Sequence, residues 1–229
     1  MGNNIGILKE SSLHKYLKFQ YSDTGKTEIS VGDYVCDGQN KKGELIEVQT
    51  GSFGPLKEKI NTISKKKKIR IIYPVIIRKH IELYDTDGKL MRKKKSPKKG
   101  NIWDIFDALI YAPDLCLARN VTLELALLDI VEKRVNDGKG SWKRKGITIE
   151  DKIPLCLHES IILKKPGDYF HFIPFEKDAE FTVKDLGEKA GIPLHLANKC
   201  IYVLKKSGLI EKTGKQGRAF LYKKKRTKV

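Results

Sequence analysis

The sequence has few cysteines, a shortage of acidic residues and no long apolar run. Its four cysteines, Cys36, Cys116, Cys156 and Cys200, lie far apart and form no Cys-x-x-Cys pair, which argues against a structural zinc site. Each lies beside apolar residues, so we expect buried free thiols in a reducing compartment. No apolar stretch approaches the roughly 20 residues that span a bilayer, and no signal-peptide pattern is present. We therefore expect a cytoplasmic protein without a membrane partner.

The shortage of acidic residues leaves a large positive charge. Lys and Arg number 46 against 28 Asp and Glu, a formal net charge of +18 at pH 7. Net charge indicates partners rather than fold, and a basic globular chain points first to nucleic acid. The sequence has no Gly-x-x-x-x-Gly-Lys-Ser/Thr segment, so a P-loop enzyme is not indicated.

The hydrophobic pattern predicts alternating helices and strands. We expect a helix from Ser12, capped by Ser11 or Ser12, then two short strands within 27–38 and a strand over 44–49. Pro55 suits the first turn of a second helix, and the apolar run 69–77 predicts a strand buried on both faces. Further elements are predicted as follows: a strand at 81–84, a basic loop at 91–100, a helix at 103–111, a strand at 121–135 and an ambiguous apolar segment at 153–163. The fold class expected is α/β, an α+β mixed sheet with helices on its faces.

Acidic residues stand on two neighbouring predicted strands. Asp37 ends one strand, and Glu47 and Gln49 lie on the next, two residues apart and so on one face. Carboxylate and carbonyl oxygens are the ligands that a hard divalent cation prefers. Such an ion can activate a water molecule and neutralise charge on a phosphodiester.

This pattern, Asp37 followed after nine residues by Glu47-Val48-Gln49, resembles the PD-(D/E)XK nuclease superfamily, and the likeness covers about residues 7–77. The segment 47–54 also resembles a group of bacterial and archaeal proteins that join such a domain to a C-terminal helix-turn-helix. The resemblance implies a restriction-endonuclease-like αβββαβ core within a domain spanning 1–164. It further implies that Asp37 and Glu47 hold Mg²⁺ or Mn²⁺ and that the protein hydrolyses phosphodiester bonds in DNA.

One residue departs from the family pattern, because Gln49 stands where most members have Lys. An amide does not titrate, but it can orient a water or bind a metal through its carbonyl oxygen. Lys57 or Lys59 on the next helix could supply the missing cation. The resemblance also implies that Glu10, before the first helix, completes the metal site and acts with Asp37, Glu47 and Gln49 in catalysis; Asp33 is the alternative to Asp37.

The C-terminal region carries a second pattern. Thr182 and Asp185 form a capping box, Gly191 ends the helix, and a second helix covers 194–207. Two short strands at 209–212 and 219–222 follow. The order resembles the winged helix-turn-helix family over about residues 170–225, and we expect a DNA-binding domain at 165–229, after a linker at 165–167. In that family the second helix enters the major groove and the wing touches the backbone.

The expected partner is duplex or branched DNA. The predicted DNA contacts are Ser52, Lys57, Lys95, Lys98, His195, Asn198, Lys199, Tyr202, Lys205, Lys215, Gln216 and Arg218. Two alternatives remain open at this point: a non-catalytic DNA-binding regulator built on an inactive nuclease-like fold, which Gln49 favours, and an RNA-directed protein. A homodimer, nucleoid-associated when bound to DNA, is expected because cutting both strands commonly needs two sites.

Overall fold

The computed structural model describes residues 10–225. In its first part a helix is followed by three short strands, a second helix and a long strand. These elements are α1 (Ser12–Tyr21), β1 (Thr27–Val31), β2 (Tyr34–Gln39), β3 (Leu45–Val48), α2 (Lys57–Ile63) and β4 (Ile69–Tyr84). Ser11 caps α1 by accepting a hydrogen bond from the His14 amide, as one of the two predicted caps. The element order over this part is therefore α-β-β-β-α-β.

The second part completes the sheet. Its elements are β5 (Leu90–Lys95), α3 (Ile105–Leu109), β6 (Val121–Val135) and β7 (Thr148–Leu163). Strands β1 to β7 form a seven-stranded sheet of order β1-β2-β3-β4-β6-β7, in which β5 pairs with β4. The β3–β4 and β4–β6 pairs are parallel, whereas β1–β2, β2–β3, β4–β5 and β6–β7 are antiparallel. The mixed α+β class expected from the sequence is confirmed.

Three predictions for this region are wrong in detail. Residues 69–84 form one strand rather than two, because β4 pairs with β6 along its whole length and a one-residue register shift between Ile76 and Arg78 absorbs the irregularity. Residues 91–95 are strand β5 and not a loop, since β4 continues beyond the end of β3 and exposes an edge that β5 pairs. The segment 103–111 is α-helical only over Ile105–Leu109, after a 3₁₀ turn at Ile102–Asp104.

The last part contains two helices and a hairpin: α4 (Val183–Ala190), α5 (Leu194–Lys206), β8 (Ile210–Gln216) and β9 (Ala219–Lys224). Thr182 and Asp185 form the predicted capping box, and Gly191 closes α4 in the left-handed region at φ 63°. Phe181 forms an isolated antiparallel bridge with Tyr222, which fastens the start of α4 to the hairpin.

Two apolar clusters hold these layers together. The smaller packs α1 against one face of the sheet through Leu13, Leu17 and Ile46. The larger covers the other face and continues, without a break, from Cys36 to Tyr222. Two residues of the expected linker at 165–167 lie within a 3₁₀ helix, Pro166–Phe172, whose Tyr169 and Phe172 side chains are buried in the larger cluster.

One cysteine prediction is wrong. Cys36, Cys116 and Cys200 are buried, but Cys156 is exposed. Cys156 lies on β7, which forms an edge of the sheet, and its Sγ is 3.7 Å from Nδ1 of His158. Apolar neighbours in the sequence did not indicate burial there because an edge strand has a partner on one side only.

Candidate active site

Asp37 lies where strands β2 and β3 stop pairing. Their antiparallel register covers Gly38–Ile46 and Gln39–Leu45. One residue further along, the Asp37 carboxylate accepts the amide hydrogen of Val48, with 2.7 Å between Oδ2 and N. A side chain thus replaces the ladder hydrogen bond of the main chain. This contact holds Asp37 at the end of β3, beside Glu47.

Glu47 is a buried carboxylate, with 6% of its surface exposed. Its Oε2 lies 2.5 Å from the Nζ of Lys59, and the same ammonium donates to the carbonyl oxygen of Val35 at 2.7 Å. Burial raises the pKa of Glu47, the ion pair with Lys59 opposes that rise, and the charge of Asp37 adds to it. Lys59 reaches this position because α2 follows β3 directly and packs against the same face.

His14 joins two acidic side chains on the other side of the site. Its Nδ1 lies 2.5 Å from Oε1 of Glu10, and its Nε2 lies 3.4 Å from Oδ2 of Asp37. The Asp37 carboxylate above all, with a smaller contribution from Glu10, raises the pKa of His14 to about 9 although partial burial opposes this. His14 is therefore an imidazolium at neutral pH.

The charge of His14 acts in turn on Asp37. Burial raises the pKa of Asp37, but the bonds from His14 and from the Val48 amide outweigh burial and leave the pKa below its usual value. Asp37 is thus ionised at neutral pH. The sequence did not single out His14 as functional; its position four residues after Glu10 was the available signal.

Gln49 follows the end of β3 and turns toward the next loop. Its main-chain amide donates to Ile72 O at 2.9 Å, and its side-chain Nε2 donates to the carbonyl oxygen of Ser52. The Ser52 hydroxyl in turn accepts the Gly54 amide at 3.1 Å. The side-chain nitrogen of Gln49 is thus used within the loop.

The acidic side chains are paired with cations rather than gathered around one point. In the described part of the chain, no group of three or more His, Cys, Asp or Glu side chains is arranged to hold a metal ion. Glu10 contacts His14 and Lys18, and Asp33 lies in the exposed turn between β1 and β2. Joint metal binding by Glu10, Asp37 and Glu47 stays a prediction. The chemistry of Asp37 and Glu47 suits a divalent cation, because two neighbouring carboxylates repel one another and Glu47 is desolvated.

The predicted contacts on α5 divide into two groups. His195, Asn198, Tyr202 and Lys205 are exposed and follow one another along a single outer stripe of the helix. Lys199 is instead half-buried, and its Nζ lies 2.7 Å from Oδ1 of Asp107 on α3. The helix therefore presents a polar stripe outward while its other side packs against α3.

The predicted contacts in the last hairpin are exposed: Lys215, Gln216 and Arg218 lie at the tip of β8–β9. Nearer the sheet, Lys57 is paired with Asp114 at 3.0 Å, and Lys95 is exposed on β5.

Lys98 lies in a cleft that adjoins the end of β3, because its lining includes Thr50, the neighbour of Gln49. The cleft has a volume of about 230 Å³ and is lined by Lys79, Lys98 and Lys152 together with Asp104 and Glu132. Lys79 is paired with Glu132 at 2.8 Å, so Lys98 and Lys152 are the lysines of the cleft that are not bound to its acidic residues in an ion pair shorter than 4 Å. Lys79 and Lys152 were missed at the level of sequence because they lie on β4 and β7, far apart along the chain.

A family profile described as "Domain of unknown function (DUF8091)" matches residues 11–164. The chain belongs to this DUF8091 family. The match includes α1, the whole seven-stranded sheet and both carboxylates, and it ends just before the 3₁₀ helix at Pro166–Phe172.

A relative in Treponema pallidum (strain Nichols), described as an uncharacterized protein, is 26% identical over 221 residues, which span 96% of this chain and 87% of the relative. The similarity thus extends past the DUF8091 region into the C-terminal helices and hairpin. No solved structure matches. In residues 10–225 no helix is both long and apolar enough to cross a membrane.

Proposed function

We propose that the protein is a metal-dependent endonuclease that hydrolyses phosphodiester bonds in duplex or branched DNA. The observation that carries the proposal is the placement of Asp37 at the end of the β2–β3 ladder, beside buried Glu47, with Lys59 bonded to Glu47. The α-β-β-β-α-β order that the PD-(D/E)XK resemblance implies supports it, as do Lys98 and Lys152 in the cleft that adjoins Thr50.

Asp37 and Glu47, with Glu10 as a third candidate, would hold Mg²⁺ or Mn²⁺. Such an ion supplies a more acidic bound water and neutralises charge on the phosphate. Without a metal ion, Glu47 is paired with Lys59 and Asp37 is paired with His14. Both carboxylates therefore already face a positive charge.

The other side chains of the site orient the attacking water and neutralise charge on the phosphate. Oε1 of Gln49 accepts a hydrogen bond from the attacking water, whose oxygen forms a new bond to phosphorus while one P–O ester bond breaks in line. Lys59 donates a hydrogen bond to a phosphate oxygen, whose negative charge increases during the reaction. Lys59, on α2, thereby takes the place of the Lys that the family carries at position 49. The attacking water releases a proton to solvent and the leaving oxygen takes one up from solvent, so hydrolysis leaves one phosphomonoester and one hydroxyl group.

We further propose that the C-terminal region is a winged helix that binds DNA. The helix–turn–helix–hairpin order and the exposed stripe on α5 support this, as do the basic residues at the hairpin tip. A homodimer would bring two carboxylate sites to the two strands of a duplex, and it belongs to the same proposal.

The test is cleavage of supercoiled plasmid and of branched duplexes with Mg²⁺ or Mn²⁺. Asp37→Asn and Glu47→Gln keep shape and remove one carboxylate charge each; Asp33→Asn, in the exposed β1–β2 turn, is the matched control. We expect cleavage by the wild type and D33N, and loss of cleavage with retained DNA binding in D37N and E47Q. Cleavage that survives both substitutions would place the site elsewhere.

Two observations favour a second function, that of a non-catalytic DNA-binding regulator. The side-chain nitrogen of Gln49 is bonded within its own loop, and His14 and Lys59 already neutralise the acids. On that account the wild type binds DNA and cleaves no substrate with either metal. Competition between duplex DNA and structured RNA distinguishes the endonuclease and the regulator, which prefer DNA, from an RNA-directed protein, which prefers RNA.

A further inference from the structure

Trp142 is held in water at the tip of the β6–β7 hairpin. Its side chain is 83% exposed, whereas the other tryptophan, Trp103, is half-buried and donates its indole hydrogen to Phe172 O at 3.2 Å. A large aromatic ring in solvent forgoes the hydrophobic stabilisation that burial provides. Tryptophan is enriched at interfaces, because its ring combines a large apolar face with a polar N–H group.

The loop around Trp142, residues 139–146, is tightly built. Its ends are joined by a hydrogen bond from the Gly140 amide to Gly146 O at 2.8 Å, and the Lys145 amide donates to Trp142 O at 2.9 Å. A Cβ atom at position 140 would lie 1.9 Å from Ile147 O, so the approach of the two chain segments requires glycine. The 139–146 loop therefore presents the indole in a preformed position, which lowers the entropy cost of binding.

The charge of the 139–146 loop is wholly positive. Four of its eight residues are Lys or Arg and none is acidic; the Lys143 Nζ lies 6.0 Å from the centre of the Trp142 ring. The nearest acid along the chain, Asp137, is used at the base of the hairpin, where it accepts hydrogen bonds from Thr148 and from the Lys139 amide. A flat aromatic ring among cations is complementary to a nucleobase with phosphates on either side.

A second lysine-flanked aromatic provides a contrast. Phe220 on the wing is also exposed, but Lys212 stands over its ring with Nζ only 3.6 Å from the ring centre, and Lys215 lies at 5.3 Å. One face of Phe220 is thus already covered by a cation. Trp142 has its cation at the greater distance and leaves more of its ring face open for stacking.

We propose that Trp142 is a stacking platform for an unpaired nucleobase and that Lys139, Lys143 and Lys145 hold the adjoining phosphates. The inference rests on the proposed function and narrows its substrate class to DNA with an unpaired segment, such as a fork or branch.

The position of the 139–146 loop follows from the strand pairing. Glu47 pairs with Ile71 and Ile71 with Leu123. From Leu123 to the end of β6 at Val135 the chain rises by at most roughly 40 Å along the strand, at about 3.3 Å per residue. Glu10 lines a cavity with Lys133, close to that end of β6, so the 139–146 loop contacts the substrate outside the carboxylate site, on the side of Glu10.

The experiment uses Trp103→Phe, which leaves Trp142 as the one tryptophan of the chain. Its fluorescence is followed during titration with a single-stranded oligothymidine, with a forked duplex carrying unpaired thymidine arms, and with a fully paired duplex. We expect quenching by the first two and little change with the third. Binding measured by anisotropy without any quenching would overturn the inference, as would quenching by anionic phosphatidylglycerol vesicles with no response to DNA.

Variants of the otherwise unchanged protein give a second measurement. Trp142→Ala is expected to weaken binding of the forked duplex by about five-fold or more and to leave binding of the paired duplex unchanged; Trp142→Phe keeps most of the affinity, and Phe19→Ala, at an exposed aromatic residue of α1, is the matched control. Equal affinity of W142A and wild type for the fork would also overturn the inference. Cleavage separates the two proposals. Quenching of Trp142 fluorescence without cleavage contradicts the endonuclease alone, and cleavage without any change in Trp142 fluorescence contradicts the stacking platform alone.

Discussion

Two cationic side chains determine the state of the carboxylates at the scale of single residues. Lys59 is bonded to Glu47, and His14 is paired with both Asp37 and Glu10. Burial alone would favour the neutral acids. The cations keep Asp37 ionised and limit the rise in the pKa of Glu47.

The Glu47–Lys59 pair predicts strong coupling in stability. Lys59→Met leaves a buried carboxylate without its partner and is expected to lower the free energy of unfolding by about 3 kcal/mol. In the double variant E47Q/K59M the loss should be at least about 1 kcal/mol smaller than the sum of the two single losses. Urea unfolding of the four proteins measures the coupling. Additive losses would mean that the two side chains do not interact in solution, and Lys57→Met, on the surface, controls for lysine removal.

His14 predicts a pH-dependent contribution to stability. Its pKa is raised from 6.5 to about 9 in the folded protein, so the folded state binds the proton more tightly than the unfolded state does. The stabilisation is therefore complete below pH 6.5 and is lost as the pH rises through about 9. Urea unfolding of wild type and His14→Gln should differ at pH 6 and converge near pH 10. A constant difference across this range would contradict the ion pairs, and His195→Gln on the exposed stripe is the control.

At the scale of elements, the sequence predicted those features that depend on contacts between residues close together in the chain, such as the helix caps. The Ser11 cap of α1 and the Thr182–Asp185 capping box lie within three residues of their partners, and both were predicted from sequence. Strand β5 was missed because its pairing is a consequence of the free edge of β4, which depends on where β3 ends. The Glu47–Lys59 pair was not predicted: the sequence offered Lys57 or Lys59 as the missing cation and gave neither a partner, since the helical phase of α2 relative to the sheet is set by packing.

The division of α5 into an exposed stripe and a packed side predicts unequal effects of two lysines. Lys205 is exposed, and Lys199 is paired with Asp107. Lys205→Ala is expected to weaken DNA binding several-fold and to lower the salt slope of log K by about 1, as for one lost phosphate contact. Lys199→Ala should change both quantities much less. Anisotropy titrations over a range of salt concentrations measure both; a larger effect of K199A would mean that DNA approaches from the α3 side.

At the scale of the whole molecule, one apolar cluster joins the sheet to the C-terminal helices. Phe106 on α3 packs edge-to-face against Phe172, at 4.9 Å between ring centres, and Ser207 on the C-terminal side donates to Pro113 O at 2.8 Å. The sequence predicted a boundary at 164/165 from composition, and composition cannot show packing across a boundary. The DUF8091 match ends at residue 164, so the family region and the C-terminal region meet at this cluster.

The shared cluster predicts cooperative unfolding. Circular dichroism and the fluorescence of Trp103, which contacts Phe172, should follow a single transition in urea with the same midpoint. The physical reason is that loss of the C-terminal helices would expose the aromatic side chains that cover the sheet. Two separate transitions would show that the regions before and after residue 164 are stable independently.

The most direct test of the central claim is the single-turnover cleavage rate of an end-labelled forked duplex with Mg²⁺ or Mn²⁺. The account predicts cleavage by the wild type, a rate near wild type for Asp33→Asn, and a loss of at least about 100-fold for Asp37→Asn with unchanged DNA affinity, because one carboxylate of the proposed site is gone. Equal rates for D37N and D33N would contradict the assignment of Asp37, and the absence of cleavage by the wild type on every substrate would contradict the endonuclease.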